Sequence, residues 1–202
     1  MMKFKNYLTQ QKEWPQSGEH IMAHFDQDTI VVYQAYSGPI AEYALKHQRF
    51  GGAFSYQRMS WIKPNFLWMM YRSGWAQKQG QEFVLAIRLR RTFFDEILSK
   101  AVASSFGAAN MDDEAQWRTA LSNSEVRLQW DPDHDPFGNS CTRRAIQLGL
   151  RGSMLARYGQ EKILRIEDIT AFVQQQRRQR DLDLSLLETP AESIYIPHQT
   201  VS

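Results

Sequence analysis

The run Thr29-Ile-Val-Val-Tyr-Gln-Ala-Tyr36 constrains this chain more than any other stretch. β-Branched and aromatic residues occupy both alternating sets of positions, so a strand here is central and buries side chains on both faces. Ser37-Gly38-Pro39 ends the run. Pro39 suits the first turn of a helix over 39–47, with Ile40, Tyr43, Ala44 and His47 on one side. A second strand is expected over 82–89, where Phe83, Leu85, Ile87 and Leu89 alternate with Val84, Ala86 and Arg88. A length of 202 residues suits one domain with a sizeable core.

Further along, 53–60 reads as extended. Pro64 blocks a helix from Trp61 but suits the first turn of one over 66–75, closed near Gly74. Helices are expected over 93–104, with Phe94, Ile97, Leu98 and Ala101 buried, and over 114–121. Val126, Leu128 and Trp130 alternate with Arg127 and Gln129 as in a half-buried strand over 125–130, and 131–138 reads as a Pro/Asp-rich turn. The segment from Arg143 fits two patterns. Ile146, Leu148 and Leu150 alternate as in a strand pairing back on 125–130, with Gly149 as a packing position. Ile146, Leu150 and Met154 also fit a helix ending near Gly159. A short strand over 163–166 and a helix over 167–180 follow. Residues 1–20 read as an arm touching the body through Trp14, 21–180 as the globular domain, and 181–202 as a tail with Ile194-Tyr-Ile196 docked. Strands and helices mix without strict βαβ alternation. The expected fold is therefore α+β: one domain, with a mixed or split β-sheet flanked by helices.

A net charge of +2 gives no global commitment to nucleic acid or membrane, so any anion-binding surface is a local patch. The single Cys141 excludes an internal disulfide and a multi-cysteine zinc site, and fits a reducing cytosol. No apolar run approaches the ~18 residues of a membrane span, and the first residues lack a signal-peptide core. The expectation is a soluble, cytoplasmic protein with no membrane partner. Glycine-rich dinucleotide and phosphate loops, a nucleophile elbow and the zinc-protease motif are missing from the sequence.

The candidate site begins in Arg58–Trp75, which gathers Trp61, Trp68 and Trp75 around Arg58, Lys63 and Arg72. Pro64 divides it. Beyond Pro64, Leu67, Trp68 and Met70 at helical spacing read as core. Before it, Arg58, Ser60, Trp61 and Lys63 approach a helix start, where backbone N–H groups and cations favour anions and a flat ring can stack on a base or nicotinamide. That combination suits a nucleotide; the plainer reading is a surface basic patch. Gln34 and Tyr36 end the first strand, where polar side chains face a crevice or bond an edge. Gln129 and Asp131, two apart, share a strand face. Such a pair can position a ribose hydroxyl and stabilise positive charge developing at a sugar carbon. Asp131, Asp133, His134 and Asp135 form a dense cluster that could instead hold a divalent cation, although it lacks calcium-loop or zinc spacing, so no metal ligand is assigned. Arg143, Arg144, Arg151 and Arg157, with Arg177, Arg178 and Arg180, form a cationic band suited to polynucleotide phosphates, or simply a solvated face.

Val32-Tyr-Gln-Ala-Tyr36, Met59–Trp75, Gln129-Trp-Asp-Pro132, Ala145–Arg151 and Ile166–Thr170 resemble the uncharacterised family DUF4291, over most of 20–175. The order of a strand with polar end, a Ser opening an aromatic helix, and an acidic strand also resembles ADP-ribosyltransferases, including those acting on nucleic acids. This second resemblance implies NAD as cofactor. It implies Gln34 or Tyr36 on the adenosine ribose side, with Ser60, Trp61 and Lys63 cradling the nicotinamide ribose and phosphates. Asp131 stands where that family's catalytic acid stands, an Asp in place of the usual Glu, with Gln129 two residues before it. Gln34 replaces the usual first-strand His or Arg. Two other functions suit the same residues: a non-catalytic nucleic-acid-binding protein using Arg58, Trp61, Lys63 and the C-terminal arginines, and a metal-dependent nucleotide or nucleic-acid hydrolase centred on Asp131–Asp135.

Overall fold

The computed structural model describes residues 2–198. In chain order, β1 (Phe4–Asn6), the one-turn helix α1 (Tyr7–Gln10), β2 (Gly18–Glu19) and β3 (Met22–Ala23) precede the long strand β4 (Thr29–Tyr36). Next come α2 (Gly38–His47), β5 (Ser60–Ile62), α3 (Phe66–Ser73), β6 (Phe83–Arg90), α4 (Arg91–Ser99) and β7 (Ala101–Ala103). α5 (Glu114–Asn123) leads to β8 (Val126–His134), β9 (Ser140–Leu150) and α6 (Gly152–Arg157). β10 (Ile163–Asp168), α7 (Thr170–Leu182), β11 (Glu188–Pro190) and β12 (Ser193–Ile194) complete the chain.

The sheet is split, within a single α+β domain. β10, β6 and β4 form an antiparallel three-stranded sheet in that order. The second sheet is built on the antiparallel pair β8–β9. β7 joins β8 in parallel, while β2 and β5 share the other edge of β9. One bridge ties the halves together: Tyr33 N–H donates to Lys63 O at 2.7 Å, and Lys63 N–H donates to Tyr33 O at 3.3 Å. The seam between the sheets therefore runs past the end of β4 and the whole of β5.

The alternation along β4 sorts its side chains between two cores. Ile30 and Val32 join Leu85, Ile87, Phe94, Ile97 and the inner face of β8–β9 (Val126, Ile146, Leu148, Leu150). Val31 and Tyr33 join Val84, Ala86, the α3 residues Phe66, Leu67 and Met70, and Val173 of α7. This explains the unbroken apolar run: both faces are covered. β4 is nevertheless terminal, not central, in its sheet, and its other edge carries two isolated bridges, from Ile30 to Phe25 and from Tyr33 to Lys63.

Several boundaries differ from expectation for local reasons. α2 buries Ala44 as expected, together with Ala41, whereas His47 is exposed. Residues 53–58 form turns because Phe54 stacks on Phe50 and Tyr56 Oη donates to Phe50 O at 3.0 Å, folding the segment on itself; the strand starts only at Ser60. α3 begins after Pro64, capped by Asn65, whose Oδ1 accepts from Trp68 N at 2.6 Å, and ends at Gly74 with φ +57°. The helix expected over 93–104 stops at Ser99, since Ala101–Ala103 pairs with Val126–Leu128 of β8. β8 continues through Asp131, Pro132 and Asp133 to His134. A register shift after exposed Pro132 accommodates its missing N–H, and the turn is confined to 135–138. The segment from Arg143 is strand, with Leu148 opposite Leu128, and α6 follows it.

Both chain ends fold back onto the second core. β1 pairs with β11 and β12 with β3, while Tyr7, Trp14 and Leu187 are buried together. Trp14 Nε1 donates to Glu192 O at 3.1 Å, while Tyr195 docks its ring into the first core against Phe94 and Ile194 and Ile196 stay exposed. The last four residues of the expected tail, 199–202, lie outside the described residues. Among the described residues no helix is long and apolar enough to cross a membrane.

Candidate functional site

A cavity of about 410 Å³ opens at the seam between the sheets. Gln34, Tyr36, Ser60, Trp61, Lys63 and Gln129 line it, so six of the residues singled out in the sequence meet there. An adjoining cavity of about 350 Å³ shares Tyr36, Met59, Ser60 and Gln81 with the first and adds Phe54 and Arg58. Asp131 stands behind the wall of the first cavity rather than in it, hydrogen-bonded to two lining side chains.

The end of β4 is locked to β5 by a closed polar network. Gln34 Nε2 donates to Ser60 Oγ at 2.8 Å and to Trp61 O at 3.2 Å. Its Oε1 accepts from Tyr158 Oη at 2.7 Å. Tyr36 Oη lies 2.9 Å from Ser60 Oγ. Gln34 is only 3 % exposed, so it acts as a strut that sets the position of Ser60. Burial pushes the Tyr36 and Tyr158 phenols well above their ordinary range, keeping both neutral hydrogen-bonding groups. Tyr158 escaped the sequence reading because it lies far along the chain, in the turn after α6, and nothing local to it points to β4.

Lys63 behaves differently. Its backbone is fixed by the bridge to Tyr33, its side chain is 5 % exposed, and among the described residues its Nζ makes no hydrogen bond or ion pair. Burial lowers its pKa from 10.5 to about 8; Arg72 pushes the same way and Asp131 opposes. Arg72, on α3, lines the same cavity. Two cations thus face one cavity, and none of the described residues lining it is an acid. The helix start contributes nothing here, contrary to expectation. Asn65 takes the Trp68 N–H, and the Glu192 carboxylic group takes the Phe66 N–H at 2.7 Å, so the N-terminus of α3 is already capped.

Glu192 is buried, and that burial, reinforced by Asp133, pushes its carboxyl from 4.5 up to about 8. The folded chain therefore holds a proton that the unfolded chain releases, and this contribution to stability is lost as pH rises from about 4.5 to about 8. Glu192→Gln, which keeps the acceptor for Phe66 N–H, is expected to flatten that decline. Urea unfolding at pH 5 and pH 8 measures it, and an unchanged slope would show that Glu192 is ionised in the fold.

On the opposite wall, the pairing of β8 with β9 places Gln129 directly across from Gln147 and Asp131 across from Ala145. Gln129 Nε2 donates to Asp131 Oδ1 at 2.8 Å, and Gln147 Nε2 donates to Asp131 Oδ2 at 2.8 Å. Gln129 and Asp131 share a face, as their spacing requires. Gln147 was missed, because only the strand register brings it to Gln129. Trp61 lies opposite Gly149, and a Cβ there would come within 3.0 Å of the indole and 2.6 Å of Met59 Sδ. Gly149→Ala is expected to cost about 1–3 kcal/mol of stability by overpacking. Denaturant unfolding checks this; a cost near zero would mean that Trp61 and Met59 move aside freely.

The acidic cluster is dispersed by the structure. Asp133 is fully buried, accepting from Arg143 Nε at 2.8 Å and from His134 N–H at 2.8 Å. Asp135 caps its turn through Phe137 N–H and Asn139. His134 is stacked against Tyr71 and Trp68, at 3.5 and 5.3 Å between ring centres, and burial lowers its pKa. Four arginines of the cationic band are likewise tied down. Arg143 is buried on Asp133, Arg157 pairs with Glu96, Arg144 donates to Trp130 O and Arg151 to Ser124 O. Among the described residues no group of three or more His, Cys, Asp or Glu is arranged to hold a metal ion.

The sequence model of one family, described as a domain of unknown function, DUF4291, matches residues 20–195. No curated protein matches the chain.

Proposed function

For a chain that belongs to the DUF4291 family, whose description carries no activity, we propose that the seam cleft binds an NAD-type dinucleotide and that the protein transfers ADP-ribose to a nucleotide or nucleic-acid acceptor. The observation supporting this most directly is the pair of cavities joined at Tyr36 and Ser60, with Lys63 and Arg72 in one and Arg58 in the other. A dinucleotide has the same plan: two ring-bearing halves joined by a charged pyrophosphate. An anion between Lys63 and Arg72 offsets their mutual repulsion, and Trp61 offers a face to a flat ring.

In this reading the bond from ribose to nicotinamide breaks, its electron pair leaves with neutral nicotinamide, and the sugar carbon takes up positive charge. The Asp131 carboxylate, acting through and beside Gln129, supplies fixed negative potential along that wall, which lowers the barrier only insofar as it is felt more strongly by the transition state. The acceptor's oxygen or nitrogen then adds to the sugar carbon and loses its proton.

Thermal unfolding with NAD, ADP-ribose and single-stranded oligonucleotides tests the reading. At a concentration of about one hundred times Kd, NAD is expected to stabilise the fold by roughly 2.7 kcal/mol, several degrees in Tm. No shift with millimolar NAD, alongside oligonucleotide binding that weakens with salt, would sink it in favour of a nucleic-acid-binding module.

A further inference from the structure

We propose that Asp131 sets the ligand specificity of the cleft by forcing Gln129 and Gln147 to turn their carbonyl oxygens into it, so that the cavity selects a flat ring bearing an N–H donor, above all a primary carboxamide. Which ring is bound rests on the dinucleotide reading; the donor requirement does not.

A carboxylate only accepts hydrogen bonds, whereas a glutamine amide has one donating and one accepting end. Asp131 uses one oxygen on Gln129 and the other on Gln147. Both glutamines must therefore point their NH₂ groups at Asp131, and neither amide can flip without setting oxygen against oxygen. Gln129 Oε1 and Gln147 Oε1 accept no hydrogen bond among the described residues, while both side chains line the cavity. Each Nε2 also keeps one further N–H. The wall thus offers two fixed acceptors beside residual donors, complementary to a group that donates and accepts at once.

Position supports the same ligand class. Gln147 and Gly149 are two apart on β9 and share a face, and Trp61 lies over Gly149. A ring stacked on Trp61 therefore holds its substituent beside the two amides. Neither glutamine has rotational freedom to accommodate a ligand of the opposite polarity, because Asp131 is itself held in the middle of β8. Asp131 is accordingly a positioning residue for specificity: it acts through Gln129 and Gln147.

Calorimetry on matched probe pairs tests this. The pairs are NAD against 3-acetylpyridine adenine dinucleotide, nicotinamide against 3-acetylpyridine, and AMP against purine riboside 5′-phosphate. The second member of each loses the N–H donor with little change in shape or charge. The wild-type protein is expected to favour the donor-bearing member roughly tenfold, about one hydrogen bond to a desolvated group. In Asp131→Asn, an asparagine both donates and accepts, one glutamine turns over, and the ratio is expected to fall towards one. Affinity for 3-acetylpyridine and purine riboside 5′-phosphate, which present an acceptor or no donor at that position, should not fall, a result that general loss of structure would not give. Equal affinities within the pairs, an unchanged ratio in Asp131→Asn, or no binding by any donor-bearing probe each overturns the proposal. Discrimination by nicotinamide or AMP without NAD binding would remove the dinucleotide reading and leave this one standing.

Discussion

Arg143→Ala is expected to lower the unfolding free energy by about 3–5 kcal/mol, the cost of leaving a buried charge without its partner. Asp133 has no exposure at all, and Arg143 is its counter-charge from the neighbouring strand. The guanidinium also donates to Pro15 O at 2.9 Å and stands 5.1 Å from the Trp14 ring centre, so it fastens the N-terminal segment as well. Asp133 reaches Asn65 Nδ2 at 3.3 Å, which links the pair to the cap of α3 and hence to the helix carrying Arg72. For a chain of this size the loss corresponds to a fall in Tm of roughly 10 °C. Urea unfolding gives the number directly. A cost below about 1 kcal/mol would place the pair with screened surface ion pairs. Replacing both partners by apolar residues should recover much of the loss, since it is the unpaired charge that costs.

Lys63→Met is expected to have effects of opposite sign on stability and on binding. Below pH 8 the folded state carries the buried ammonium at an expense on the order of 3 kcal/mol, from a pKa lowered from 10.5 to about 8. Between about 8 and 10.5 the unfolded chain keeps a proton that the fold has shed, so the penalty carried by Lys63 falls away with rising pH across that window. Methionine removes that penalty: the variant should be more stable than wild type at pH 7 by on the order of 1–3 kcal/mol, an advantage that shrinks from pH 8 to 10.5. The same substitution should weaken dinucleotide binding by about 10²-fold or more, as loss of a desolvated charge-assisted contact does. Unfolding at pH 7 and pH 10 and calorimetry with NAD measure the two halves separately. A variant less stable at pH 7 would mean that Lys63 is paired or solvated in solution. Stability given up at a cavity wall by an unpaired cation is the expected mark of a binding residue rather than a structural one.

How much was legible depended on how local the governing interaction is. β4 and β6 were readable because burial on two faces leaves a nearly unbroken apolar run in the residues themselves. α3 was readable from Pro64, Asn65 and Gly74, whose effects act within one turn. The wrong boundaries at 53–60 and 93–104 came from segments with permissive propensity, decided by an aromatic stack in one case and by a strand partner in the other.

The sequence by itself determined the two-sided strands, the α+β class, and the types of side chain available for a site: amides, cations and a flat ring on either side of Pro64. Only the tertiary structure decided which of those groups are free. Arg143 and Asp133 cancel inside the fold, Glu192 fills the helix start that was expected to hold an anion, and Lys63 has no partner among the described residues. Register alone sets Gln147 against Gln129, and with it the role of Asp131. The physical reason is that patterning follows from the period of one element, whereas pairing of charges and amides depends on residues brought together across it from distant parts of the chain.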